Sequence, residues 1–117
     1  MRFMTFYRPG KEATTAPSQA EMAAMGKMIG EWAKAGVLVS TEGLLPSSHG
    51  ARVRIDGGKF TVDDGPFADA AGLIGGYAII NAKSKAEAIE HAKAFLKVVG
   101  RGESEVRQMH EGSPQPA

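Results

Sequence analysis

The sequence predicts an α+β fold of order βαββαβ, with one β-hairpin added between its second and third core strands. Three observations carry this. Arg2–Tyr7 and Leu73–Ile80 are apolar on both alternating faces, as strands at the centre of a covered sheet are. A helix-start pattern follows each of them, Ser18-Gln19-Ala20-Glu21 and Ser84-Lys85-Ala86-Glu87, and leads into an apolar stripe of helical period. Two short alternating runs, Arg52–Ile55 and Phe60–Asp63, flank Asp56-Gly57-Gly58-Lys59, a tight-turn sequence.

Taken in order, Arg2–Tyr7 is a strand closed by Pro9-Gly10, with faces Phe3/Thr5/Tyr7 and Met4/Phe6. Lys11 to Pro17 is a loop. The first helix carries Met22, Met25, Ile29 and Trp32 on one stripe and ends at Gly36, a residue suited to a left-handed cap. Gly26 and Gly30 inside it cost helix stability and are expected to let the helix sit close to a sheet. Val37–Leu45 returns to extended structure, and Pro46-Ser47-Ser48-His49-Gly50 breaks it. In the hairpin, Val53 and Ile55 face Phe60 and Val62, while the arginines and Thr61 turn to water. Asp64-Gly65-Pro66-Phe67 is a turn. The second helix buries Ala88, Ile89, Ala92, Phe95, Leu96 and Val99 and stops at Gly100. Ser104–His110 is the last strand. Residues 112–117 read as a flexible tail after a domain spanning 1–111.

This is the ferredoxin-like pattern, with both helices on one face of an antiparallel sheet and the first and third core strands in its centre. The helices leave the other sheet face bare. A bare apolar face of that extent is rare on monomers, so a second copy is expected to cover it sheet to sheet, giving a homodimeric α+β barrel. The alternative is that the hairpin folds over its own sheet.

Composition removes several functions. The 117 residues contain no cysteine, which excludes thiolate catalysis and cysteine-held metals. Fourteen Lys and Arg balance thirteen Asp and Glu, so no global field draws in nucleic acid or anionic membrane. No apolar run is long enough to span a bilayer, and the N-terminal apolar stretch is short for a signal peptide, so a cytoplasmic location is expected. The three histidines lack metal-ligand spacing, there is no GxSxG elbow, and the Gly pairs form neither GxGxxG nor a P-loop. Neither a metal nor a cofactor is expected.

Asp64 is the first candidate for chemistry: in a cleft it would act as general acid/base, and in its own turn it would accept backbone amides. Glu42 lies in an otherwise apolar segment. Glu105 and Arg107, two apart on one strand face, form either a surface ion pair or, facing a cleft, an anchor for a substrate carboxylate. Tyr77 and Tyr7 read as core residues with bonded hydroxyls ahead of proton donors, and Tyr77 is also a candidate ligand contact. His49 is a loop residue placed to border a cleft, and His91 sits on a helix rim.

The run Val62-Asp63-Asp64-Gly65-Pro66-Phe67-Ala68-Asp69, followed by Gly75-Gly76-Tyr77, resembles the DGPF motif of the YCII-related (DGPF-domain) family. Ala35-Gly36-Val37-Leu38, Glu42-Gly43-Leu44-Leu45-Pro46 and Glu105-Val106-Arg107 extend the likeness over about residues 1 to 110. The resemblance implies a dimeric ferredoxin-like fold in a small bacterial protein. Most relatives lack an established activity, and some are associated with extracytoplasmic-function sigma factors. A few relatives are presumed enzymes with a His/Asp pair in a cleft. Two departures stand out: where much of the family continues with Glu-Thr-Lys-Glu, this chain has Asp69-Ala70-Ala71-Gly72, and its first helix holds no histidine. The expected function is a homodimer that binds a small ligand, such as an organic acid, or a regulatory partner. The alternative is an isomerase or lyase in which Asp64 moves a proton, Glu42 assists and Arg107 holds the substrate carboxylate.

Overall fold

A computed structural model describes residues 1–11, 17–69 and 72–111. Residues 12–16 of the loop expected before the first helix, and the tail expected at 112–117, lie outside the described residues.

Among the described residues the elements run β1 (Arg2–Arg8), α1 (Gln19–Lys34), β2 (Leu38–Gly43), a short 3-10 turn at Ser47–His49, β3 (Ala51–Asp56), β4 (Lys59–Asp64), β5 (Gly76–Asn81), α2 (Lys85–Val99) and β6 (Glu103–Gln108). The main sheet has the order β2-β5-β1-β6 and every pairing in it is antiparallel. With the β3–β4 hairpin set aside as its own two-stranded sheet, this is the ferredoxin-like topology, and the two doubly apolar segments are its central strands.

The helices begin as their sequences direct. Ser18 Oγ accepts from the Glu21 amide and the Glu21 carboxylate accepts from the Ser18 amide, a complete capping box. Ser84 Oγ likewise accepts from the Glu87 amide, but the Glu87 carboxylate reaches one residue further back, to the Lys83 amide. Gly100 ends α2 in the left-handed region, with its amide bonded to Leu96 O at 2.7 Å.

Several expectations need correction. Strand β5 starts at Gly76 rather than Leu73. Met22 points to solvent from the first turn of α1, and Met28 is the residue this helix buries. Gly26 and Gly30 face open space, so neither serves close packing. The apolar side of the hairpin, expected to find cover, stays in solvent within one chain.

The tight core lies at one end of the helix-facing sheet surface. Phe3 and Ile80, cross-strand partners, are fully buried with Ala82 and Ala88, and Trp32, Val37, Leu38, Ala78 and Val106 pack around them.

Candidate functional site

Along the helix-facing side of the sheet the side chains taper. On β5 the inward positions run Ile80, Ala78, Gly76. On β2 their partners run Leu38, Thr41, Gly43. The bulky end carries the core, and the small end cannot reach the helices. Gly76 could not be larger, since a Cβ there would lie 2.8 Å from Glu42 O of the neighbouring strand. The result is a cavity of about 520 Å³ between sheet and helices, within the usual size of small-molecule sites.

Met25, Met28, Ile29 and Trp32 of α1 and Ala92, Phe95 and Val99 of α2 form its roof, with Thr5, Tyr7, Thr41 and Ala78 in the floor. Tyr7 closes one end: its ring meets Phe95 edge-on at 5.3 Å between centroids, and its hydroxyl donates to Arg101 O at 3.0 Å. Two further floor hydroxyls are committed, Thr41 to Tyr77 O at 2.9 Å and Thr5 to Ala78 O at 3.4 Å, and Ser104 adds a fourth hydroxyl to the lining. Each committed oxygen has spent its proton on the main chain and retains acceptor capacity. The lining includes no lysine, arginine or histidine among the described residues; its one carboxylate residue is Glu42.

The opposite, open side of the sheet gathers four of the sequence-predicted residues. Pairing sets Glu42, Tyr77, Phe6 and Glu105 in one rung across the four strands. Met4, Phe6, Tyr77 and Ile79 form an apolar strip on the two central strands, none of them fully buried. On the β6 edge, Glu105 accepts from Arg8 at 2.7 Å and from Arg107 at 3.1 Å. Those bonds, Arg107's first, hold its carboxyl below the ordinary range. Arg107 is well exposed and its expected surface pairing with Glu105 is present.

Asp64 and His49 lie elsewhere, at the root of the hairpin. Asp64 ends β4 opposite Ala51 and is exposed. The Gly65 amide donates to Gly50 O at 2.9 Å, not to Asp64, so the turn is held by the main chain of the 46–50 loop. Phe67 N adds a bond to Ser47 Oγ at 3.0 Å. Arg52 stacks 4.0 Å from the centroid of the Phe67 ring and grips Asp69 with both guanidinium nitrogens, at 2.9 and 3.1 Å. The Arg52 bonds hold the Asp69 carboxyl below its ordinary value. The Asp-Gly-Pro-Phe segment and Asp69 therefore form a clasp across the root of the hairpin, joining the chain that enters it to the chain that leaves it. The model of the YCII-related domain matches residues 1–111. The chain belongs to the YCII-related family. A comparison with curated proteins gives no match.

In this YCII-related chain, then, Glu42 and Arg107 stand on the open sheet face at its opposite edge strands, and Asp64 lies on the hairpin. The three do not share one lining. No cluster of three or more His, Asp and Glu placed to hold a metal occurs among the described residues, and no helix of them is long and apolar enough to cross a membrane. Sequence reasoning missed the cavity. The signal was present in the inward series Ile80, Ala78, Gly76, but reading it requires knowing which face the helices cover.

Proposed function

We propose that this YCII-related chain works as a homodimer whose protomers each hold a small, mostly apolar molecule between helices and sheet. The cavity of about 520 Å³ carries this reading. The aromatic rings of both helices and the thioethers of α1 give it a soft apolar roof, and the hydroxyls of Thr5, Tyr7 and Thr41 offer lone pairs without protons. A neutral ring bearing a hydroxyl or N–H donor suits that lining. With no cationic side chain in the described lining, it favours such a molecule over the organic acid that the sequence suggests. The homodimer is supported by the uncovered strip of Met4, Phe6, Tyr77 and Ile79, flanked by polar edges as interface cores are.

Trp32 is the chain's single tryptophan and lines the cavity, so occupancy reads out in its emission. Titration with benzyl alcohol is expected to shift that emission and raise Tm in the wild type. Ala78→Leu, which fills the floor, should abolish both responses while keeping the fold. A response to benzoate stronger than to benzyl alcohol would return the ligand to the organic acids. No response to either would remove the binding reading. The proton-transfer alternative needs Asp64 and Arg107 beside one substrate, and a single chain keeps them apart.

A further inference from the structure

We infer that the β3–β4 hairpin is an arm that lies across the open sheet face of a second copy of this chain. The inference rests on the homodimer reading above and adds what holds the two copies.

The hairpin is two-faced. Val53 pairs with Val62 and Ile55 with Phe60, so all four side chains stand on one side, each between 59% and 73% exposed. The other side carries Arg52, Arg54, Thr61 and Asp63, with Arg54 and Asp63 joined as an ion pair. Scattered surface apolar residues need no explanation, but four in one patch on a single hairpin face do. Leu44 and Leu45, 53% and 72% exposed, extend the apolar surface along the segment leading from β2 toward the arm.

The arm's direction is set by its root. The Gly65–Gly50 and Phe67–Ser47 bonds tie the segment after β4 to the loop before β3, and Arg52 on β3 grips Asp69 in that same outgoing segment. It is displayed rather than tucked in. The molecule measures 46 × 45 × 21 Å. The short dimension fits one sheet and one helix layer at about 10 Å each, which leaves no third layer over the open sheet. The arm therefore leaves the body beyond β2, an edge strand, and forms a sheet separate from the one that carries the half-buried Met4, Phe6, Tyr77 and Ile79.

One chain thus shows two apolar surfaces that cannot meet within it. A second copy resolves both at once: by two-fold symmetry each arm covers the other's sheet, and the contact is self-complementary. The four arm side chains alone supply roughly half of the ~800 Å² that each partner contributes to a stable interface, and the sheet strip adds to it. A small molecule is too small for such a strip, and a peptide added to the hairpin's edge would leave the sheet face bare.

The absence of native cysteine makes the contact directly testable. A chain carrying Phe60→Cys is mixed with size-tagged chains carrying Met4→Cys, Phe6→Cys, Tyr77→Cys or Ile79→Cys, and mildly oxidised. Mixed disulfides are expected between Phe60→Cys and at least one sheet variant, and none with Thr61→Cys, whose side chain is on the polar face. In parallel, Phe60→Asp with Val62→Asp should weaken the dimer at least tenfold by ultracentrifugation and leave the circular dichroism unchanged. Disulfides only between two Phe60→Cys chains would mean arms meeting each other and would overturn the inference. So would a dimer of unaltered affinity in the charged variant, which would leave the sheet-to-sheet dimer standing without its arms. Monomers of wild type at micromolar concentration would remove the dimer reading itself.

Discussion

Gly65 lies against the main chain of Ser47 so closely that a Cβ at position 65 would collide with the Ser47 carbonyl oxygen and carbon. The glycine of the Asp-Gly-Pro-Phe run is thus required by a neighbour fifteen or more positions away in sequence, not by its own turn. The relationship makes a joint of the motif: the 46–50 loop seats on it.

Gly65→Ala should therefore destabilise by about 1–3 kcal/mol, the range for forced overpacking, since backbone rather than a flexible side chain must yield. Urea denaturation gives the size. Hydrogen exchange gives the place: protection should fall at the amides of Gly65 and Phe67 and leave the β1–β5 ladder unchanged. Loss spread evenly over the sheet would count against the joint.

The same joint titrates. Arg52's two bonds lower the Asp69 carboxyl from its ordinary value of 3.8. As pH falls, the unfolded chain takes up this proton first, so the native state holds fewer protons and stability rises with pH. The contribution is full above the ordinary value and disappears as pH drops through the lowered native one. Comparing wild type with Asp69→Asn, the stability difference should be constant from about pH 7 to about pH 5 and shrink toward about pH 3. A difference that stays flat throughout would mean the pair does not titrate with folding. Because both groups are substantially exposed, added salt should reduce the effect.

Much of the fold is legible in the sequence because local chemistry and the tertiary solution agree. Ser18 and Glu21 cap α1 as their spacing demands, and the double apolarity of Arg2–Tyr7 and of the β5 segment places those strands centrally before any contact is known. The site is harder to read, for two reasons. A cavity is made by what is missing, and Ala78 and Gly76 matter only because Thr41 and Gly43 stand beside them on another strand. Glu42, Tyr77 and Glu105 are separated in sequence by 35 and 28 positions and meet on one rung only through the order of strands, which puts them on the open face and Asp64 off it. Adjacent charged residues attract attention in a sequence; the inward series Ile80, Ala78, Gly76 does not.

Tyr7 and Phe95 should be energetically coupled across the end of the cavity. Their rings meet at 82° with centroids 5.3 Å apart, an edge-to-face pair. A double-mutant cycle with Tyr7→Leu and Phe95→Leu is expected to give about 0.5–1.5 kcal/mol of interaction energy. Tyr7→Phe keeps the ring and loses only the bond to Arg101 O, which should cost about 1 kcal/mol. Strict additivity of the two leucine substitutions would show that the rings only share a wall.

Phe3 and Phe60 make the sharpest contrast in the chain. Phe3 is 1% exposed, packed with Ile80 and Ala88, whereas Phe60 is 73% exposed on the arm. Truncating Phe3 removes a full set of contacts in a core that cannot collapse around the gap, so Phe3→Ala should cost about 3–5 kcal/mol at any protein concentration. Phe60→Ala should fall within about 0.5 kcal/mol for a dilute single chain, as surface changes do. Its effect should grow as concentration rises, because a second copy binds only the folded chain and stabilises it by mass action. The expected record is therefore one variant whose Tm deficit is independent of concentration and another whose deficit appears only at high concentration. A Phe60→Ala deficit already present at nanomolar protein would place that ring's packing partner within its own chain.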